Sequence, residues 1–156
     1  MKALVTYFSA SGVTAKVAAR LAEALNASLY EIKPATAYTA ADLDWTNKQS
    51  RSSLEMEDKS CRPKLADTDA PGAEADTIFV GYPVWWYREP SIIDSFLAAY
   101  DFTGKKIVPF ATSGGSGIGE EAPARMKEIT GADVDSGRRF AANADAAELK
   151  EWAESK

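Results

Sequence analysis

Apolar and polar positions along this chain change period repeatedly, and the changes mark its elements. Ala3-Leu4-Val5-Thr6-Tyr7-Phe8 is a short, almost continuous run of apolar and β-favouring residues, the pattern of a strand buried on both faces. From Ala15 the period shifts, and Val17, Leu21 and Leu25 recur at the spacing of an amphipathic helix. Ser28 to Lys33 alternates and predicts a second strand closed by Pro34. A long crossover then runs from Ala35 to about Glu74. Within it, Thr39 to Asp42 has the form of a helix start, with Thr39 as cap and Asp42 reaching back. Leu43, Trp45, Leu54 and Met56 predict helical pieces laid over the sheet, Asn47 to Ser53 a solvated stretch, and Pro63 and Pro71 the exit. Asp76 to Tyr82 predicts a third strand. Ser91 to Tyr100 follows as a helix with Ile92, Ile93, Phe96 and Leu97 inward, and Lys105 to Phe110 as a fourth strand. Glu120 to Ile129 reads as a helix, Val134 to Phe140 as a short fifth strand, and Asp145 to Ser155 as the closing helix.

Strand and helix patterns therefore alternate five times, which predicts a parallel sheet with helices on both faces, a single doubly wound α/β domain over residues 1–156. Three unusual loops each follow a strand: Ser9–Thr14, Pro83–Glu89 and Thr112–Gly119. In such a sheet all three emerge at one edge, beyond the carboxyl ends of the strands, where ligands bind.

The first loop, Ser9-Ala10-Ser11-Gly12-Val13-Thr14, joins a strand to a helix. A helix N-terminus carries partial positive charge and unpaired N–H donors, and Ser9, Ser11 and Thr14 can add three hydroxyls, so the loop suits a phosphate. The alternative is an ordinary strand-to-helix turn capped by Ser11 or Thr14. The loop matches neither the G-x-x-x-x-G-K-[ST] pattern of nucleoside triphosphate sites nor the G-x-G-x-x-G dinucleotide fingerprint. Neutral hydroxyls and amides fit one terminal phosphate better than a triphosphate with its magnesium. In the second loop, Trp85, Trp86 and Tyr87 cannot all point inward on a turn, so at least one ring covers a ligand or stands exposed. A flat aromatic ligand would stack on such rings; the alternative is that two of them plug the end of the sheet. The third loop holds four glycines between Thr112 and Gly119, which let backbone approach a ligand closely or lead into the next helix through left-handed turns.

Together the hydroxyl-rich loop, Gly81-Tyr82-Pro83-Val84-Trp85-Trp86 and Phe110-Ala111-Thr112-Ser113-Gly114-Gly115-Ser116-Gly117 resemble the flavodoxin family, in its short-chain form. That resemblance implies a three-layer sandwich with a five-stranded parallel sheet in the order 2-1-3-4-5, and FMN as cofactor. It places the FMN phosphate on Ser9, Ala10, Ser11, Gly12, Val13 and Thr14. The ring falls between Pro83, Val84, Trp85, Trp86 and Tyr87 on one side and Thr112, Ser113, Gly114 and Gly115 on the other. One departure stands out. The family often carries a glycine beside flavin N5, whose peptide turns over to bond the half-reduced ring, whereas no residue from Val84 to Pro90 is glycine. Tyr87 and Arg88 occupy the region, and non-glycine residues resist positive φ. Arg88 is expected to face solvent, alone or paired with Glu89; placed near the ring it would raise the potential.

Composition narrows the chemistry further. The 156 residues carry 46% hydrophobic and 26% charged residues, an ordinary globular balance, and a formal charge of −5 that disfavours nucleic acid and anionic membranes. There is no histidine, which removes histidine-based acid–base and nucleophilic catalysis and most zinc sites. The only cysteine, Cys61, permits no internal disulfide or iron–sulfur cluster. Redox chemistry here would need a bound organic cofactor. The opening apolar run is too short for a signal peptide and no stretch is long enough to span a membrane, so a cytoplasmic location is expected. The resulting expectation is an FMN-binding electron carrier with no catalytic residue and no metal, a monomer or weak dimer shuttling electrons between a reductase and an acceptor protein. The rival is a small FMN-dependent NAD(P)H oxidoreductase of the quinone reductase type, with Arg88 and Lys48 or Arg51 binding the nicotinamide phosphate. A third reading is a flavin-free domain for protein interaction.

Overall fold

The computed structural model describes residues 2–71, 74–112 and 117–156. Strand β1 (Ala3–Tyr7) leads into α1 (Val13–Leu25), and β2 (Ser28–Glu31) into the crossover that contains α2 (Arg51–Glu57). Then come β3 (Thr77–Pro83), α3 (Ser91–Ala99), β4 (Lys106–Thr112), α4 (Ala122–Thr130), β5 (Asp133–Val134), β6 (Arg138–Phe140) and α5 (Ala146–Glu154). All strand pairs are parallel, in the order β2-β1-β3-β4-β5, with β6 also pairing β4. This is the predicted doubly wound α/β sheet and strand order.

The alternation of each strand sorts its side chains into two cores. Leu4, Ile78, Val80, Tyr82 and Ile107 face Ile92, Ile93, Phe96 and Leu97 of α3 and Met126 of α4. Val5, Phe79, Val108 and Phe110 face Val17 and Leu21 of α1 and Leu149 and Trp152 of α5. The central strands are apolar at nearly every position because water reaches neither face. Gly81 sits on β3 opposite Phe110, and a Cβ there would overlap the Phe110 ring. No helix among the described residues is long and apolar enough to cross a membrane.

The structure corrects three expectations. The fifth strand is two pieces, β5 and β6, because Asp135 accepts from Gly137 N at 2.9 Å and turns the chain between them. Thr39 and Asp42 do exchange side-chain-to-backbone bonds, at 2.9 and 3.1 Å, but close a single turn rather than start a helix. The polar run Asn47 to Ser53 is not all solvated: Ser50, Ser52 and Ser53 are buried. Ser50 caps α2 by accepting from Ser53 N, and the helix buries Met56. Beyond β2 the chain pairs antiparallel with the end of the crossover: Ala35 N donates to Lys64 O and Ala66 N to Lys33 O, each at 2.8 Å, around a Pro34–Leu65 bridge.

Gly81→Ala is expected to lower stability by about 1–3 kcal/mol, since the Phe110 ring must leave its rotamer or the strands part. Urea denaturation checks this, and an unchanged midpoint would show that the ring moves freely.

Candidate functional site

The three loops singled out in the sequence follow β1, β3 and β4, whose carboxyl ends lie side by side at one edge of the sheet. In the first, Ser9 and Ala10 are half-buried and Ser11 is exposed. Gly12 takes φ of 90° and is the N-cap of α1, with no side chain capping the helix and no acidic residue in its first turn. Its own N–H donates to Ser9 Oγ at 3.0 Å. A hydroxyl cap by Ser11 or Thr14 is therefore not formed, and the first-turn N–H groups stay available to an anion. Val13 is half-buried, and Thr14 is buried with its hydroxyl 2.7 Å from that of Thr112. That contact ties the first loop to the third.

The second loop is a two-residue reverse turn. Trp85 N donates to Arg88 O at 3.0 Å and Arg88 N to Trp85 O at 3.1 Å. Between them Trp86 has φ of 48° and Tyr87 of 67°. Two successive positive φ values define the type I′ pattern, which Asn-Gly adopts readily and bulky side chains do not. The expectation that non-glycine residues here avoid positive φ is overturned. The reason is the mutual bonding of Trp85 and Arg88, which closes a two-residue hairpin turn, and both favoured forms of such a turn carry positive φ at the first central residue. Trp86 and Tyr87 are thereby turned outward, 45% and 71% exposed, while Pro83, Val84 and Trp85 stay half-buried. Trp85 meets Phe8 and Tyr38 edge-on, with ring centroids 5.7 and 5.6 Å away.

Arg88 is the second correction. It does not face solvent: only 1% of it is exposed. On a turn that sends residues 86 and 87 outward, residue 88 follows 85 inward. Its guanidinium donates to Met56 O at 3.0 Å, Glu89 O at 3.2 Å and Ser91 Oγ at 3.4 Å, and pairs with Asp94 Oδ2 at 3.4 Å. It thus fastens the turn to α2 and α3. Arg51 is also engaged, donating to Glu55 Oε2 at 3.0 Å and Thr36 O at 2.8 Å. Lys48 is exposed.

Of the third loop, Thr112 lies at the end of β4, while Ser113, Gly114 and Gly115 lie outside the described residues. Its far side buttresses the aromatic turn. Tyr82 Oη donates to Ile118 O at 2.9 Å, Glu121 N to Tyr87 O at 3.3 Å, and a Cβ on Gly119 would sit 3.0 Å from Tyr87 O.

Among the described residues, two hollows adjoin the first two loops. One, of about 280 Å³, lies against Ser9 and Ala10 and is walled by Phe8, Lys33, Pro34 and Tyr38. The other, of about 250 Å³, lies beside Val84, Trp85 and Trp86 and is closed by Leu43, Trp45, Ser52 and Met56 of the crossover. Tyr38 and Trp45 line these hollows, and the sequence motifs give no sign of them. Their signal is aromatic side chains in a long irregular connection. Tyr38 is held by Glu55, which accepts from its phenol, and by the Arg51 guanidinium stacked 3.9 Å from its ring centre. Burial, reinforced by Glu55, raises the Tyr38 phenol far above its usual range, so it stays protonated.

Fold and site define a doubly wound protein of the kind that binds a flat, phosphate-bearing ligand at the carboxyl ends of its strands. The family pattern for flavodoxin matches residues 2–156, and the chain belongs to that family. Among solved structures it is similar to a protein of Bacteroides uniformis assigned as a flavoprotein, with 45% identity, a TM-score of 0.91, and 98% of this chain and 97% of that one covered. A counterpart from Bacteroides eggerthii shares 40% identity at a TM-score of 0.87, over 99% and 96%. A Lactobacillus acidophilus flavoprotein, solved in complex with FMN, shares the fold at 22% identity and a TM-score of 0.68, over 97% and 98%. No curated relative matches.

Left-handed backbone costs a non-glycine residue about 1–2 kcal/mol. Tyr87→Gly is therefore expected to raise the unfolding free energy by about 0.5–1 kcal/mol once the added chain entropy of glycine is subtracted. Urea unfolding of the variant decides; a net loss would mean that the tyrosine ring's contacts outweigh the strain.

Proposed function

We propose that this protein is a single-domain FMN-binding electron carrier. The observation that carries the reading is the strained aromatic turn, which holds Trp86 and Tyr87 outward beside an uncapped helix N-terminus. A fold that only needed to close β3 onto α3 would place glycine there. The donors present fit a singly attached phosphate: the amides of Ser11 and Val13 and the hydroxyls of Ser9 and Ser11, with the Gly12 amide held by Ser9 Oγ. Thr14 and Thr112 hold the spacing between loops through their mutual bond. Pro83, Val84, Trp85, Trp86 and Tyr87 would border the ring on one face, with Thr112, Ser113, Gly114 and Gly115 on the other.

When bound, FMN supplies the one- and two-electron chemistry that no side chain of a histidine-free chain with one cysteine can. The chain's own part is to orient and insulate. Apolar rings around the site make added negative charge on the ligand unfavourable and so hold its potential low. The exposed Trp86 and Tyr87, with Trp45 nearby and 75% exposed, form an apolar rim suited to a brief encounter with redox partner proteins. Direct oxidation of NAD(P)H has less support, because Arg88 and Arg51 are already engaged.

Each of Trp86→Ala and Tyr87→Ala is expected to weaken FMN binding about tenfold, corresponding to about 1.4 kcal/mol of lost stacking and burial, with Ser11→Ala weakening it as well. Quenching of FMN fluorescence on titration measures this, and unchanged affinity in all three variants would sink the site assignment. An anaerobic visible spectrum during NADPH addition then separates carrier from enzyme: a flavin that ignores NADPH but is reduced through a partner reductase fits the carrier, and rapid bleaching by NADPH alone fits the enzyme.

A further inference from the structure

Beneath the aromatic turn lies a charged cluster that holding a flavin does not require. Glu89 and Asp94 are both fully buried. Arg125 of α4 reaches them with one edge of its guanidinium, Nε to Glu89 Oε1 at 2.9 Å and Nη2 to Asp94 Oδ2 at 2.5 Å. An arginine edge ordinarily takes both oxygens of one carboxylate. Here each prong takes one oxygen from a different carboxyl group, so the two groups stand side by side. Their second oxygens, Glu89 Oε2 and Asp94 Oδ1, are buried and have no hydrogen-bond partner among the described residues.

The surrounding cations do not repair this. Arg88 turns to Asp94 Oδ2 and otherwise to the carbonyls of Met56 and Glu89 and the Ser91 hydroxyl. Arg62, from the crossover, stands 3.7 Å from the same Asp94 Oδ2. Lys59 pairs with Glu121 at the rim, at 3.0 Å. Tyr82, from β3, gives its phenolic proton to Ile118 O. Among the described residues, the side-chain donors that reach the pair bond to Glu89 Oε1 and Asp94 Oδ2. Two ionised carboxyl groups brought together at one guanidinium edge in a dry interior repel one another, whereas a single proton shared by the pair turns that repulsion into an O–H···O bond.

We propose that Glu89 and Asp94 form a proton-binding site, holding one proton between their two carboxyl groups at neutral pH and so fixing the base of the Trp85–Arg88 turn. Burial, and next the adjoining Asp94, push Glu89 from its ordinary 4.5 up to about 8. Between those values the folded protein keeps a proton that the unfolded chain has released. Stability from this site is therefore complete below about 4.5 and is lost as pH rises toward about 8. Arg88 and Arg125 then face one net negative charge with the proton in place and two without it.

Glu89→Gln tests the site. Its amide oxygen still accepts from Arg125, and its N–H replaces the shared proton toward Asp94. Urea unfolding of the full-length protein, without and with saturating FMN, is compared from pH 5 to pH 9. The wild type is expected to lose up to tenfold in its folding equilibrium constant per pH unit relative to E89Q. By pH 8 the ratio should have moved at least tenfold. Parallel curves would overturn the proposal. Infrared spectra of the wild type provide a second test that does not need the variant to fold. A buried protonated carboxyl C=O band, sensitive to D₂O, is expected at pH 7 and lost above pH 9; absence of the band at pH 7 overturns the site. Resting on the flavin reading, FMN affinity should fall above pH 8 in the wild type and not in E89Q. Failure of that last result alone would detach the proton site from the cofactor. A protein that takes up no FMN would refute the function and leave the unfolding comparison standing.

Discussion

A guanidinium taken out of water must find an acceptor for the N–H groups it keeps, and Arg88 meets that demand by drawing distant segments together. Its partners come from the end of α2, from the loop before α3 and from α3 itself. Removing one of these would strand a buried charge, which costs far more than the contact itself contributes. The crossover, the aromatic turn and the third helix are therefore one mechanical unit. The position of Trp86 and Tyr87 at the surface depends on what lies below them.

Parallel-sheet topology supplies the other half of the arrangement. Because every strand runs the same way, each β-to-α loop leaves by one edge, and residues 98 positions apart such as Thr14 and Thr112 come within hydrogen-bond distance. Nothing local brings them together. The sheet brings three separate stretches of sequence to one edge, and the start of α1 at that edge contributes its dipole at no extra structural cost.

Legibility from sequence follows the range of the interactions. The strands β1, β3 and β4 are readable because burial on both faces leaves a continuous apolar run. The helix α3 is readable from Ile92, Ile93, Phe96 and Leu97, all of which are buried. The three loops are visible through their hydroxyls, aromatic rings and glycines. Arg88 is misread because an arginine followed by Glu89 and Pro90 has the look of a surface corner. The groups that compensate it, the Met56 carbonyl and Asp94, are joined to it only by folding. The buried serines of the crossover are hidden for the same reason: polar residues satisfied by a cap and by one another resemble solvated ones. Trp86 and Tyr87 defeat the steric rule because hydrogen bonds on either side fix a backbone path that their side chains alone would refuse.

The antiparallel pairing between Lys33–Ala35 and Lys64–Ala66 carries a consequence for how molecules of this protein meet one another. An open sheet ends in a row of unsatisfied backbone groups, a template on which another chain can add a strand. Here β2 is only four residues long, and the chain just beyond it is already bonded to the returning crossover, around a proline that has no N–H to offer. The long connection thus acts as a selvedge, binding off the sheet's margin just past the end of its short outer strand.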